Sequence, residues 1–324
     1  MAEIASPTAS TSKAPALAYA GMGVGIVALG FSALFVRWAA APGVVTGLYR
    51  MAIASMILVP IAVVRHGNPR HWPAAGLRMA LIGGAALSFD LALWNTAVLY
   101  TSAANATLLA NTAPLWVAIA SVLIFREKLG RPFWVGLGLV LAGAAAVLGA
   151  DFLHDFTFGV GDLMALAAGV FYASYYLATQ RGRRHLASLP YVASAGVAST
   201  CMLLVAVLVI GYPLTGYPPQ TWASFIGLGL VTQVLGYVAV GYALGLLPAS
   251  LVAPTMVGQP VMTALLAVPL LGEPLSLVQW VGGAAVLGGI VILHRSHSRA
   301  LTPDPSPAVR EREWGEGQTG SPGL

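Results

Sequence analysis

Ten apolar runs joined by short connections fill most of this chain, and no other feature restricts its fold as strongly. They lie roughly at 16–36, 43–64, 77–99, 103–124, 133–150, 159–179, 190–211, 221–244, 249–271 and 276–294. A helix needs about 20 apolar residues to cross the hydrocarbon core of a bilayer. Each run therefore reads as one membrane-spanning helix. Connections such as "YTSA" at 100–103 and "GLLPAS" at 245–250 force sequential helices to lie antiparallel as neighbours.

Composition points the same way. The chain is 58% hydrophobic and only 8% charged, against roughly 25% charged in soluble domains. So few charges cannot cover a water-facing surface, and lipid has to be the solvent. The single cysteine, Cys201, excludes an intrachain disulfide and reads as a small packing residue in an apolar run. No Cys/His zinc pattern is present, and no cofactor or metal is expected. The net charge of +5 does not indicate nucleic acid, because the basic residues lie mostly in short loops. The first apolar run exceeds a signal-peptide core and reads as a retained span.

Orientation follows from Lys and Arg near the span ends. With the N-terminus in the cytoplasm, Lys13, Arg65, Arg70, Arg78, Arg126, Lys128, Arg131, Arg181, Arg183, Arg184, Arg295 and Arg299 all fall inside. Only Arg37 falls outside, and the outer loop after the fifth span carries Asp151 and Asp155 with no Lys or Arg. A multi-pass protein of the cell (inner) membrane with both termini cytoplasmic is expected.

The sequence also repeats itself. "EKLGRPFWVGLGLVLAGAAAVL" from Glu127 matches "EPLSLVQWVGGAAVLGGIVIL" from Glu273 at a constant offset of 146 residues. That offset pairs Trp134 with Trp280, Gly136 with Gly282, Gly143 with Gly289, Pro114 with Pro260 and Ala103 with Ala249. Each half then holds five spans. Five is odd, so the second half enters the membrane from the opposite side. The fold class is an all-α integral membrane protein with ten transmembrane helices as two inverted five-helix repeats. The chain divides into a polar segment (1–14), a first repeat (15–150), a second repeat (159–294) and a Pro/Gly/charge-rich tail (300–324) expected to be disordered. Inverted repeats are a building principle of secondary transporters, although some channels share the duplication.

With ten spans, the "E-x-L…W-x-G…G" ending of each half and "LYRMAIASMIL" at 48–58, the chain resembles the EamA-type transporters of the drug/metabolite transporter superfamily. The resemblance covers about 20–295. It implies export of amino acids and other metabolites, and a homodimer contact through the fifth and tenth spans, as in some members. From the residues alone, the glycines of those spans read as close helix packing.

Deep polar residues are the site candidates. Asp90, in "LSFDLALWN", is the only charge between Arg78 and Arg126. It lies roughly 15–18 Å from either span end by helical rise. A charge there costs at least about 2.5–3.5 kcal/mol, so it should face the protein interior or a water cavity. Three readings stay open: binding an amine-bearing substrate, carrying a proton, or pairing with Arg50, whose depth is compatible. Trp94 shares Asp90's helical face; Asn95 lies off it. In the fourth span Thr107, Asn111 and Pro114 share a face, and Pro114 removes a backbone donor near Ala110. The second half keeps Pro260 but places Ala253 and Val257 opposite Thr107 and Asn111, so a site lined mainly by the first half is expected. Tyr172 is the deeper candidate of the sixth span; Tyr175 and Tyr176 read as interfacial belt residues. Gln233 and Tyr237 share a face of the eighth. Glu127 reads as a solvated ion pair, and Glu127 and Glu273 as caps of the turn that follows.

The leading reading is a gradient-driven carrier that exports small metabolites by alternating access. A facilitative, channel-like permease is the alternative. A membrane-embedded enzyme is disfavoured because every histidine lies in a loop or at a span end, and Asp90 has no second deep acid beside it. No G-x-x-x-x-G-K motif is present. The expected partners are the lipid bilayer and a small-molecule substrate.

Overall fold

The computed structural model describes residues 13–97, 100–101, 103–148, 159–272 and 274–301. Expectations for the N-terminal segment, for Asp151 and Asp155, for Glu273, for the side chain of Asn95 and for the tail fall outside the described residues. The described elements are α1 (Lys13–Ala39), α2 (Gly43–His66), α3 (Ala74–Ala97), α4 (Ala103–Ala110), α5 (Ala113–Phe125), α6 (Arg131–Leu148), α7 (Val160–Gly182), α8 (Ser188–Ile210), α9 (Pro219–Gly227), α10 (Val238–Ala243), α11 (Ala249–Met256), α12 (Gly258–Leu271) and α13 (Leu277–Leu301). A π-helical stretch, Leu228–Tyr237, joins α9 to α10. Ten of the resulting helical spans are long and apolar enough to cross a membrane.

The repeat governs the backbone as well as the sequence. Ala103 and Ala249 open α4 and α11, and Ala110 and Met256 close them. Phe125 and Leu271 close α5 and α12, and Arg131 and Leu277 open α6 and α13. Every pair is spaced as Glu127 is from Glu273. The fourth and ninth spans are thus broken at the same place, with Pro114 and Pro260 in the first turn of the following helix. A proline is tolerated there because its missing N–H would have had no intrahelical partner. Between the broken halves, Thr112 N–H bonds Leu109 O at 3.1 Å, a tightened turn that ends α4.

Glycines show that the two repeats are inverted. On α6 and α13, Gly136 faces the carbonyl of Gly289, and Gly143 faces that of Gly282. The lower-numbered residue of one helix meets the higher-numbered residue of the other, so these equivalent helices run antiparallel. The reciprocal pattern is that of an isologous two-fold contact. A Cβ at Gly143 would lie 2.6 Å from Gly282 O, so only glycine permits this approach. The remaining spans interlock across the halves: α2 packs on α8, α3 on α7, and α1 on the α9–α10 span. The last two are equivalent pairs under the same two-fold.

The outer surface is apolar, with Met56, Val64, Leu123, Val209 and Leu277 all largely exposed, which suits a lipid-facing surface. Cys201 is exposed on α8 and is not a core packing residue. Glu127 corrects another expectation. Its carboxylate accepts a hydrogen bond from Ser250 Oγ at 2.6 Å, which ties the end of α5 to the start of α11. It neither pairs with its basic neighbours nor caps the following turn. The contact crosses the chain, and the run of charges around Glu127 conceals it.

Candidate functional site

A cavity of about 360 Å³ lies among α1, α2, α3, α4, α6 and α12. It runs from Val36, Gly43 and Leu148, near the end of the bundle where α1 passes into α2, down to Leu29 and Arg50 in the interior. Its wall is mainly apolar. The polar groups on it are Ser32, Thr46, Arg50, Thr107, Asn111, Gln259 and Thr263. Most lining residues come from the first half, and the second contributes Leu228 and one face of α12.

Arg50 forms the floor. It is only 6% exposed. Its Nε donates to Gln233 Oε1 at 3.1 Å and its Nη1 to Ser32 Oγ at 3.3 Å. Its guanidinium carbon sits 5.1 Å from the centre of the Tyr237 ring. The π-helical stretch supplies both Gln233 and Tyr237, and such stretches are frequent at functional sites. Arg50 Nη2 is buried and has no hydrogen-bond partner among the described residues. A guanidinium presents its donors as a planar fork that matches a carboxylate. A buried, unused donor is costly, and this one belongs to a side chain on a cavity wall.

Asp90 does not pair with Arg50. It makes no hydrogen bond or close ion pair among the described residues, although it lies within electrostatic reach of Arg50. It is half-buried, one helical turn from Trp94 and next to Leu91, both of which line the cavity. Tyr172, Tyr176 and Tyr237 also lie within electrostatic reach of its carboxylate. The Tyr176 hydroxyl donates to Tyr172 at 3.1 Å, and Tyr237 contacts the Tyr172 hydroxyl at 3.5 Å. Tyr175 and Tyr176 are 1% and 2% exposed, so they are core residues and not an interfacial belt. With Tyr191 they fill the bundle behind Arg50.

The sequence candidates therefore separate into two layers. Arg50, Trp94, Thr107, Asn111 and Pro260 line the cavity. Gln233 and Tyr237 stand behind Arg50, linked to it by a hydrogen bond and a ring contact, and Tyr172 stands behind Tyr237. Pro114 is buried in the first turn of α5 and does not line the cavity. Asn111 Nδ2 donates to Thr107 O at 2.8 Å, so its amide secures the end of α4. The carbonyls of Leu109 and Ala110 face Gly169 of α7, where a Cβ would lie 3.1 and 3.0 Å from them. The break thus packs against a neighbouring helix.

Three polar residues escaped the sequence reading. Gln259 lines the cavity and has no hydrogen-bond partner among the described residues; it stands beside Pro260, which was singled out for its ring. Ser32 holds Arg50, and no pattern in α1 marks it. Asp162 accepts from Gly159 N–H at 2.9 Å and from Thr101 Oγ1 at 2.7 Å. It caps α7 and fixes the turn after α3, and its place in the first turn of a helix was the available signal.

This architecture is that of a membrane transporter built on an inverted repeat. The chain matches the EamA-like transporter family over residues 16–149 and 159–295, and it belongs to that family. It is 27% identical over 269 residues to the uncharacterized transporter YdfC of Bacillus subtilis (strain 168), covering 78% of this chain and 86% of that protein. It is also 27% identical over 254 residues to a probable terminal-alkyne amino-acid exporter of Streptantibioticus cattleyicolor, covering 76% and 82%. A solved crystal structure superposes with a TM-score of 0.77 at 20% identity, covering 90% of this chain and all of that one. That likeness concerns the fold.

Proposed function

We propose that this protein exports small carboxylate-bearing metabolites, amino acids foremost, by alternating access driven by an ion gradient. The observation that carries the reading is Arg50. A buried guanidinium with one unused N–H stands at the floor of a mainly apolar cavity. A carboxylate placed there would complete its hydrogen bonds, and Leu29, Leu91 and Trp94 would take an apolar side chain. Asp90 is not on the cavity wall but precedes Leu91, which is; it has no hydrogen bond among the described residues and suits an ammonium group or an exchangeable proton. The relative named a probable terminal-alkyne amino-acid exporter supports the same substrate class.

The basic ends of α2, α5, α7 and α13, and the basic starts of α3 and α6, point to one face of the membrane. By the distribution of Lys and Arg that face is cytoplasmic. The cavity then reaches the outer face, and Tyr175, Tyr176 and Tyr191 close the inner one, which is an outward-facing state.

The test is flux in proteoliposomes, with and without a pH gradient. The panel holds apolar amino acids, the matching amines without a carboxylate, and the matching acids without an amine. Amino acids should move, and amines should not. Equal flux of amines would remove the role of Arg50, and no flux of any solute would remove transport. Flux indifferent to every gradient would make the protein a facilitative permease.

A further inference from the structure

The two basic hollows at the end of the bundle that carries most Lys and Arg differ in one respect. One lies between α6 and α13, lined by Lys128, Arg295 and His297 among others, and Glu127 acts on His297. The second, of about 590 Å³, lies where α3 begins and α7 ends. Arg78, Arg181, Arg184 and His185 line it. No carboxylate of the described residues answers these three guanidiniums. Asp90 is deep in α3, Glu127 bonds Ser250, and Asp162 caps the far end of α7. Arg183, their neighbour, is already committed: its Nε donates to Gly241 O at 2.7 Å and its Nη1 to Leu186 O. The side chains of Arg78 and Arg184 have no such hydrogen bonds among the described residues. Three like charges facing one hollow repel each other unless an anion enters.

The hollow also continues into a groove. Met79, Ile82 and Arg181 line both it and a second hollow of about 230 Å³, completed by Ile124, Phe125, Leu177 and Ala178. The groove runs along α3, α5 and α7 on the lipid-facing surface, where Ile82 is 53% and Ile124 60% exposed. Its one hydroxyl, on Ser174, is spent on Val170 O at 2.9 Å. Arg181 stands at the junction, its guanidinium carbon 4.7 Å from the centre of the Phe125 ring. An anionic head and an apolar tail joined end to end match this shape and charge.

We infer that the α3–α7 hollow binds an anionic glycerophospholipid, its phosphate among Arg78, Arg181 and Arg184 and one acyl chain along Ile82, Ile124 and Phe125. A free phosphate would use the hollow and leave the groove empty. A zwitterionic lipid would fill the groove and leave the arginines unbalanced.

The full chain in detergent, supplied with phosphatidylglycerol, phosphatidylcholine of the same acyl chains, or inorganic phosphate, separates these cases. The readouts are retained lipid by native mass spectrometry and the thermal midpoint. Phosphatidylglycerol should be retained and should raise the midpoint, and the other two should do neither to the same extent. Arg78→Gln and Arg184→Gln should each weaken its binding about fivefold, the change that roughly 1 kcal/mol per basic residue near an anionic headgroup implies. Ile82→Trp, which blocks the groove and leaves every arginine in place, should weaken it too. Equal retention of phosphatidylcholine, or a midpoint shift by phosphate alone matching that of the lipid, overturns the proposal. The lipid competition on the unaltered chain reads out whether or not any variant folds.

Discussion

Gly143→Ala puts the inverted repeat to a sharp test. The added methyl would sit 2.6 Å from Gly282 O and 2.7 Å from Val286 N. Both are backbone atoms held by helical hydrogen bonds, so neither can rotate away. The helices α6 and α13 must separate instead, along a seam that Gly136 and Gly289 also hold close, with built Cβ atoms 3.0 and 2.7 Å from each other's carbonyl oxygens. Inserting one methyl into a filled site costs about 1–3 kcal/mol. Alanine returns up to about 1 kcal/mol of helix propensity relative to glycine. Gly138, on the same helix, has nothing within 4 Å of a built Cβ, so Gly138→Ala collects the propensity gain alone. The propensity gain is common to both, so the two variants should differ by the clash alone, about 1–3 kcal/mol, or about 2–5 °C in thermal midpoint for a chain of this size. Thermal unfolding of the detergent-solubilised protein measures it. Gly143→Ala and Gly282→Ala combined should cost less than the sum of each, because one separation relieves both clashes. A Gly143→Ala protein that melts at or above the Gly138→Ala protein would refute the close antiparallel seam.

Other expectations concern the site. Arg50→Gln should raise the KM for a carboxylate substrate by about 10- to 150-fold, the value of a hydrogen bond to a charged group of about 1.5–3 kcal/mol. Arg50→Lys should recover part of that loss; equal KM values in all three proteins would exclude carboxylate contact. Asp90→Asn should leave the thermal midpoint unchanged or raised, because the carboxylate has no hydrogen bond to lose and its charge is costly at depth. A clear drop in the midpoint would assign Asp90 a folding role. Gly169→Leu should destabilise by about 1–3 kcal/mol, because its side chain would press on the carbonyls that end α4, and a neutral effect would show that the break is not held by α7.

Much of the fold was legible because its determinants are local or periodic. Apolar length gives the spans, and the offset from Glu127 to Glu273 places the breaks in the fourth and ninth spans. Long-range partners left no such trace. Depth alone made Asp90 a candidate partner for Arg50, yet the guanidinium turns to Gln233, 183 residues away. Gln233 reaches it from a π-helical stretch that no residue pattern announces. Tyr175 and Tyr176 read as belt residues because they lie near a span end. Depth along a helix does not reveal which neighbours cover it, and here Tyr237 and Tyr191 do.

The halves share a backbone but not a chemistry, and the packing explains why. The offset that pairs α4 with α11 places Gly196 opposite Arg50 and Gly236 opposite Asp90. A Cβ at Gly196 would lie 2.8 Å from Ser55 Oγ, and one at Gly236 would lie 3.2 Å from the Ala28 Cβ. In the second half both places are closed by helices of the first, so no large charged side chain fits there. Among the described residues the charged side chains deep in the spans, Arg50 and Asp90, stand on α2 and α3, while α12 lends the cavity mainly a backbone break and an amide at Gln259. If the halves exchange conformations as proposed, a substrate anchored on Arg50 stays with α2. The second half then moves past it, and the cavity changes sides without a hand-over of the substrate's charge.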